Sequence, residues 1–162
     1  MKAVFAKVIG HKVVAMLKSG ERIEIERSFD PEERPSYDYG KIKEDHGELI
    51  GVGTERIYDT PSGKLEPGCL FWSDWLPEDM YWDNHTGPQL HAVLPNGQQW
   101  NIDSRASNCT MPNDRSHRCW CRHGEIPNIS VDKNGQTCSA GAGSIAVPGW
   151  HGFLTNGEFK EC

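Results

Sequence analysis

The clearest periodicity in this chain is two. In E-R-I-E-I-E, from Glu21, the isoleucines Ile23 and Ile25 alternate with charged side chains. That pattern predicts a strand with one wetted face. V-V-A-M-L, from Val13, is an apolar run of strand length, and Lys18-Ser19-Gly20 between the two supplies a short turn whose glycine accepts positive φ. Residues 4–29 therefore read as an N-terminal hairpin. Further on, Q-L-H-A-V-L and Q-Q-W-N-I-D flank Pro95-Asn96-Gly97, with Leu90, Ala92 and Leu94 on one face and His91 and Val93 on the other. I-S-V-D, K-N-G, Q-T-C-S and then H-G-F-L, T-N-G, E-F-K-E repeat the same grammar, so three Asn-Gly turns punctuate the C-terminal half. No segment sustains a 3.6-residue period. The predicted fold is mainly β: antiparallel hairpins or a meander, closing into a small sandwich or barrel-like domain with few or no long helices.

Between these regions the pattern lapses. Residues 30–67 are charged, broken by Pro and Gly, and weakly periodic; they read as an irregular excursion with one short strand around Ile57. All six Trp and all six Cys follow, from Cys69 onward, and L-F-W-S-D-W-L-P-E-D-M-Y-W packs eight large apolar side chains into thirteen residues. Such density fills a core or, alternatively, forms a partner-binding patch. The chain of 162 residues is expected to be a single β-rich domain, 1–162, with the hairpin at 1–29, the excursion at 30–67 and a Trp/Cys-rich core at 68–162. A net charge of −6 argues against sequence-specific nucleic-acid binding. No apolar run approaches the about 18 residues of a membrane span, and Lys7 interrupts the only candidate leader. The expected setting is a cytosol.

In a reducing compartment, cysteines serve as metal ligands, buried thiols or reactive thiols more readily than as disulfides. Four of the six fall between Cys109 and Cys138. Cys119 and Cys121 flank Trp120, and on a strand residues i and i+2 share a face. Cys109, Cys119, Cys121 and Cys138 are thus candidate ligands of a structural zinc ion, with His117 and His123 as alternates. The competing reading is four buried thiols acting as small hydrophobes. A basic cluster overlaps this segment: Arg115, His117, Arg118, Arg122 and His123, with Trp120 among them. It is a candidate surface for an acidic partner, an alternative to a merely solvated turn. Charge reversal at Arg118 and Arg122 is then expected to weaken binding without unfolding. The loop S-A-G-A-G-S-I, residues 139–145, suits either an anion-binding nest or a tight crossing of strands.

The segments W-N-I-D-S-R-A-S-N-C, H-R-C-W-C-R-H-G, V-D-K-N-G-Q-T-C-S-A-G-A-G-S-I and W-H-G-F-L-T-N-G together resemble a family of small uncharacterised proteins of tailed bacteriophages and prophages, over about residues 71–157. The resemblance implies a phage accessory protein in the bacterial host cytoplasm or in the virion, and no catalytic residue. The leading expectation is a non-enzymatic module that binds a protein partner, for example a modulator of a host factor with an anti-defence role, with a zinc staple and buried free thiols as the two alternatives for its cysteines. The alternatives are a minor virion structural protein and a thiol- or metal-dependent hydrolase or transferase acting on a small anionic ligand.

Overall fold

The computed structural model describes residues 1–33, 35–73, 88–114, 117–134, 138 and 143–162. Most of the aromatic run (74–82), Arg115, Gly135 of the second Asn-Gly turn and residues 139–142 of the small-residue loop lie outside the described residues. Contacts divide the chain into two compact units, Lys7–Leu65 and Met1–Ala6 with Glu66–Cys162.

After a two-residue strand β1 (Val4–Phe5), the chain enters the unit Lys7–Leu65. The predicted hairpin is there: β2 (Val8–Leu17) pairs antiparallel with β3 (Arg22–Ser28). Gly20, at φ 92°, closes the turn, its N–H donating to the Leu17 carbonyl at 2.9 Å. Residues 30–67 are not an irregular excursion. They contain an eight-residue helix α1 (Tyr39–His46) and a ten-residue strand β4 (Leu49–Tyr58), which runs antiparallel along the other edge of β2. Asp38 caps α1, accepting from the Lys41 N–H at 3.1 Å, and Ile42 is its buried residue. The strand escapes a periodicity reading because Gly51 and Gly53 replace side chains in it and burial is confined to Ile57 and Tyr58 at its end. Its β conformation comes from a long register with β2, not from alternation of its own.

The other unit carries β1, β5 (Cys69–Ser73), β6 (Gln89–Val93) and β7 (Gln99–Asn101) in one sheet, in the order β1-β5-β6-β7. β8 (Cys121–His123), β9 (Ser130–Asp132), β10 (Ile145–Val147), β11 (Trp150–Thr155) and β12 (Glu158–Glu161) form a second, in the order β10-β11-β9-β8 with β12 on β11. Apart from β1, which runs parallel to β5, the pairings are antiparallel. The first and third Asn-Gly turns lie where expected: Gly97 at φ 87°, and Asn156 at 48° followed by Gly157 at 73°, the left-handed pair of a tight hairpin turn.

Both sheets feed one core. Leu70, Leu90, Ala92, Leu94 and Ile102 come from the first; Val131, Ile145, Trp150, Leu154 and Phe159 come from the second. Strand β11 shows the cause most plainly, alternating buried and exposed along its whole length. The architecture is a small sandwich-like arrangement of antiparallel sheets with no closed barrel, mainly β as the sequence pattern predicts. Trp120 and Trp150 are buried, and Trp120 meets Trp100 edge-to-face at 5.0 Å. Among the described residues, no helix is long and apolar enough to cross a membrane.

Candidate metal centre

The segment between β7 and β8 has little regular structure, so its polar backbone groups are satisfied locally. The Cys109 N–H donates to the Ala106 carbonyl at 3.1 Å, and the Met111 N–H donates to Cys109 Sγ at 3.4 Å. Arg105 stitches the loop from within: its guanidinium donates to the carbonyls of Met111 and Asp114 and reaches Cys109 Sγ at 4.0 Å. The Asp114 carbonyl also accepts from the His117 N–H at 3.3 Å. These turns deliver Cys109 and His117 to one place, where Cys119 and Cys138 join them.

The four side chains form a compact donor set. His117 Nε2 lies 3.5 Å from Cys119 Sγ, and Cys119 Sγ lies 3.7 Å from Cys138 Sγ. All four ligand atoms are within 4.8 Å of one another. Cys119 and His117 are buried, Cys109 and Cys138 partly so. The sulfur separation is far beyond the about 2.05 Å of a disulfide bond, and none of the six cysteines is drawn into one. Burial pushes the Cys119 thiol up to about 11; a backbone hydrogen bond from Ala106 opposes this, and the neighbouring thiols of Cys109 and Cys138 add to it. Several thiolates cannot share so small and dry a space without a cation to offset their charge. This Cys3His cluster can hold a metal ion.

The set differs from the expected one by one exchange. Cys109, Cys119 and Cys138 are brought together, but Cys121 is not in the cluster, and His117 stands in its place. The i, i+2 argument required an extended chain through Cys119–Trp120–Cys121. The chain instead bends at Cys119 and β8 begins only at Cys121, which pairs across the sheet with Asp132. The same geometry applied two residues earlier, to His117 and Cys119, finds the pair that does converge. His123, the other alternate, is directed elsewhere: its Nε2 is 2.8 Å from Asp132 Oδ1, which also accepts from the Asn134 N–H at 2.8 Å. Cys69, buried in β5, and the exposed Cys162 stand outside the cluster.

The basic surface is also redistributed. Arg122 Nε donates to Asp103 Oδ1 at 2.9 Å, and the guanidinium lies 5.5 Å from the centre of the Trp72 ring. Asp103 is buried, and its other oxygen accepts from the Leu90 N–H at 2.9 Å. Arg122 thus ties β8, in one sheet, to the end of β7 and to β6 in the other. Arg122 lies at the surface, but its guanidinium is engaged by a buried carboxylate, so reversing its charge is expected to cost the fold stability. His117 belongs to the cluster and Arg118 is half-buried, while Trp120 is buried with Lys133 Nζ 4.9 Å from its ring centre. Sequence reasoning missed Asp103 as a partner for Arg122; the two are distant along the chain and nothing in either pattern couples them.

Comparison of the chain with protein-family models, with curated proteins and with solved structures finds no match in any of the three.

Proposed function

We propose that this chain is a zinc-stapled binding module in which Cys109, His117, Cys119 and Cys138 hold a structural Zn²⁺. The observation that carries the reading is the spacing of the donors. A tetrahedral ion with Zn–S of about 2.3 Å and Zn–N of about 2.0–2.1 Å has S···S edges of about 3.8 Å and S···N edges of about 3.6 Å. Two of the six donor separations, 3.7 Å and 3.5 Å, are close to those values, and all six fall within 4.8 Å, which supports the reading. Three thiolates and one imidazole suit zinc better than a hard cation. Four protein ligands also complete the coordination shell, which favours a structural ion over the open-position ion that a hydrolase requires. The role we assign is therefore binding without turnover, and the resemblance over residues 71–157 favours a phage accessory protein with a protein partner in the host.

The test is elemental analysis of protein purified under reducing conditions, with Co²⁺ substitution as the spectroscopic check. About one zinc per chain, and a Co²⁺ derivative with the intense visible bands of a tetrahedral thiolate site, are expected. Metal-free protein that also fails to take up Co²⁺ would overturn the assignment.

A further inference from the structure

We infer that the cleft beside the metal cluster is a binding site for a small planar anion, an aromatic ring bearing a phosphate or carboxylate. The cleft has a volume of about 460 Å³, within the range of small-molecule sites. Trp100 and Trp120 form its aromatic wall, set edge-to-face at 5.0 Å. Lys133 brings a positive charge, Arg105 adds a second from a guanidinium already donating to the Met111 and Asp114 carbonyls, and no carboxylate lines the cleft among the described residues. On a chain with a net charge of −6, a cleft with two cations and no acid is a local inversion of sign. It focuses field toward an anion. Lys133 Nζ stands 4.9 Å from the Trp120 ring centre, so ammonium and π-surface are presented together. Asn108 and Ser144 add side chains that can donate to an anion's oxygens.

The inference rests on the zinc reading in one respect. Asn108 precedes Cys109 and Trp120 follows Cys119, so the metal ligands fix the wall of the cleft through adjacent peptide bonds. Ala106, also in the wall, is hydrogen-bonded to the ligand Cys109 through its carbonyl.

The probe is phenyl phosphate, titrated into the full chain as purified and followed by the indole N–H resonances of Trp100 and Trp120, with phenol and inorganic phosphate as paired controls. Metal content is measured in the same sample. Saturable shifts of those two resonances are expected, with each control at least about tenfold weaker. Lys133→Met, at a partly exposed position, should weaken phenyl phosphate about tenfold while leaving the rest of the spectrum in place. The absence of saturation up to about 10 mM overturns the cleft, whatever the metal content. So does an unchanged affinity in the Lys133→Met protein. Saturation in a sample that holds no metal and takes up no Co²⁺ sustains the cleft and overturns the zinc reading alone.

Discussion

Replacing Arg122 by Met strips a buried carboxylate of its cation while keeping most of the side-chain volume. The loss is the charge-assisted bond from Arg122 Nε to Asp103 Oδ1, and with it the guanidinium's contact with Trp72. Such a bond contributes about 1.5–3 kcal/mol, and a cation–π contact near the surface about 0.5–1 kcal/mol. Removing one partner of a fully buried pair costs about 3–5 kcal/mol, but the Arg122 side chain is 32% exposed, so water screens part of that. The Leu90 N–H also continues to hold the other Asp103 oxygen. The expected destabilisation is about 2–4 kcal/mol, a large share of the ~5–15 kcal/mol of a typical domain. The assay is urea unfolding followed by tryptophan fluorescence. All six tryptophans lie between Trp72 and Trp150, so the signal reports only the unit that contains Asp103. With a slope of about 2 kcal/mol/M, the midpoint should fall by roughly 1–2 M. A midpoint within about 0.3 M of the parent would refute the view that Arg122 ties the sheets.

Three further outcomes follow from the same structure. Cys119→Ser should abolish stoichiometric metal binding while Cys121→Ser retains about one ion per chain, read by elemental analysis; equal loss in both would return Cys121 to the ligand set. Gly152→Ala should destabilise by about 2–3 kcal/mol in the same unfolding assay, because a methyl there meets the Lys160 carbonyl and lies 2.6 Å from the Trp150 ring; a neutral effect would mean that β11 and β12 can part without cost. Burial holds the His91 imidazole below its ordinary value, the nearby Asp103 opposing it only in part, so the folded chain keeps it neutral where the unfolded chain takes up a proton. Stability from this source is complete above the unfolded value of about 6.5 and is lost as pH falls from there toward the depressed folded value. His91→Phe should flatten the unfolding midpoint against pH across that window, and an unaltered slope would assign the acid sensitivity elsewhere.

What the sequence discloses depends on whether a residue's role is local. The hairpin at Gly20 and the turns at Gly97 and Asn156-Gly157 are decided within a few residues by backbone sterics, and they stand where the pattern puts them. β4 is different: L-I-G-V-G-T-E-R-I-Y has almost no alternation, and only its ladder with β2 makes it a strand. The α1 cap at Asp38 was visible in principle, but Gly40 weakens the first turn and Ile42 is the only residue the helix buries. At the metal cluster the cysteine count located the segment, and three of four ligands followed. The fourth turned on one bend at Cys119, which no periodicity argument registers. Asp103 and Arg122 were legible as charges and illegible as a pair, because their contact exists only once two sheets share a core.

The position of the cluster also indicates what a bound ion would contribute to this unit. β8, β9 and β10 are three residues each, which leaves few ladder bonds to hold the second sheet's edge. The connections into β8 and β10 run from 102 to 120 and from 133 to 144, and ordering each residue of a connection costs about 1–2 kcal/mol of conformational entropy. Cys109, His117 and Cys119 lie in the first of these segments and Cys138 in the second. An ion bound by all four closes both loops onto Cys119, which is itself buried in the shared core beside Trp120. Hydrophobic burial fixes the strands that alternate well, such as β11, and an ion held by the cluster would fix the connections whose sequence has too few apolar side chains to fix themselves. If the cluster holds zinc, its removal should loosen the described residues of the 105–121 and 132–145 segments ahead of β11 and β12, a sequence of events that amide exchange resolves residue by residue.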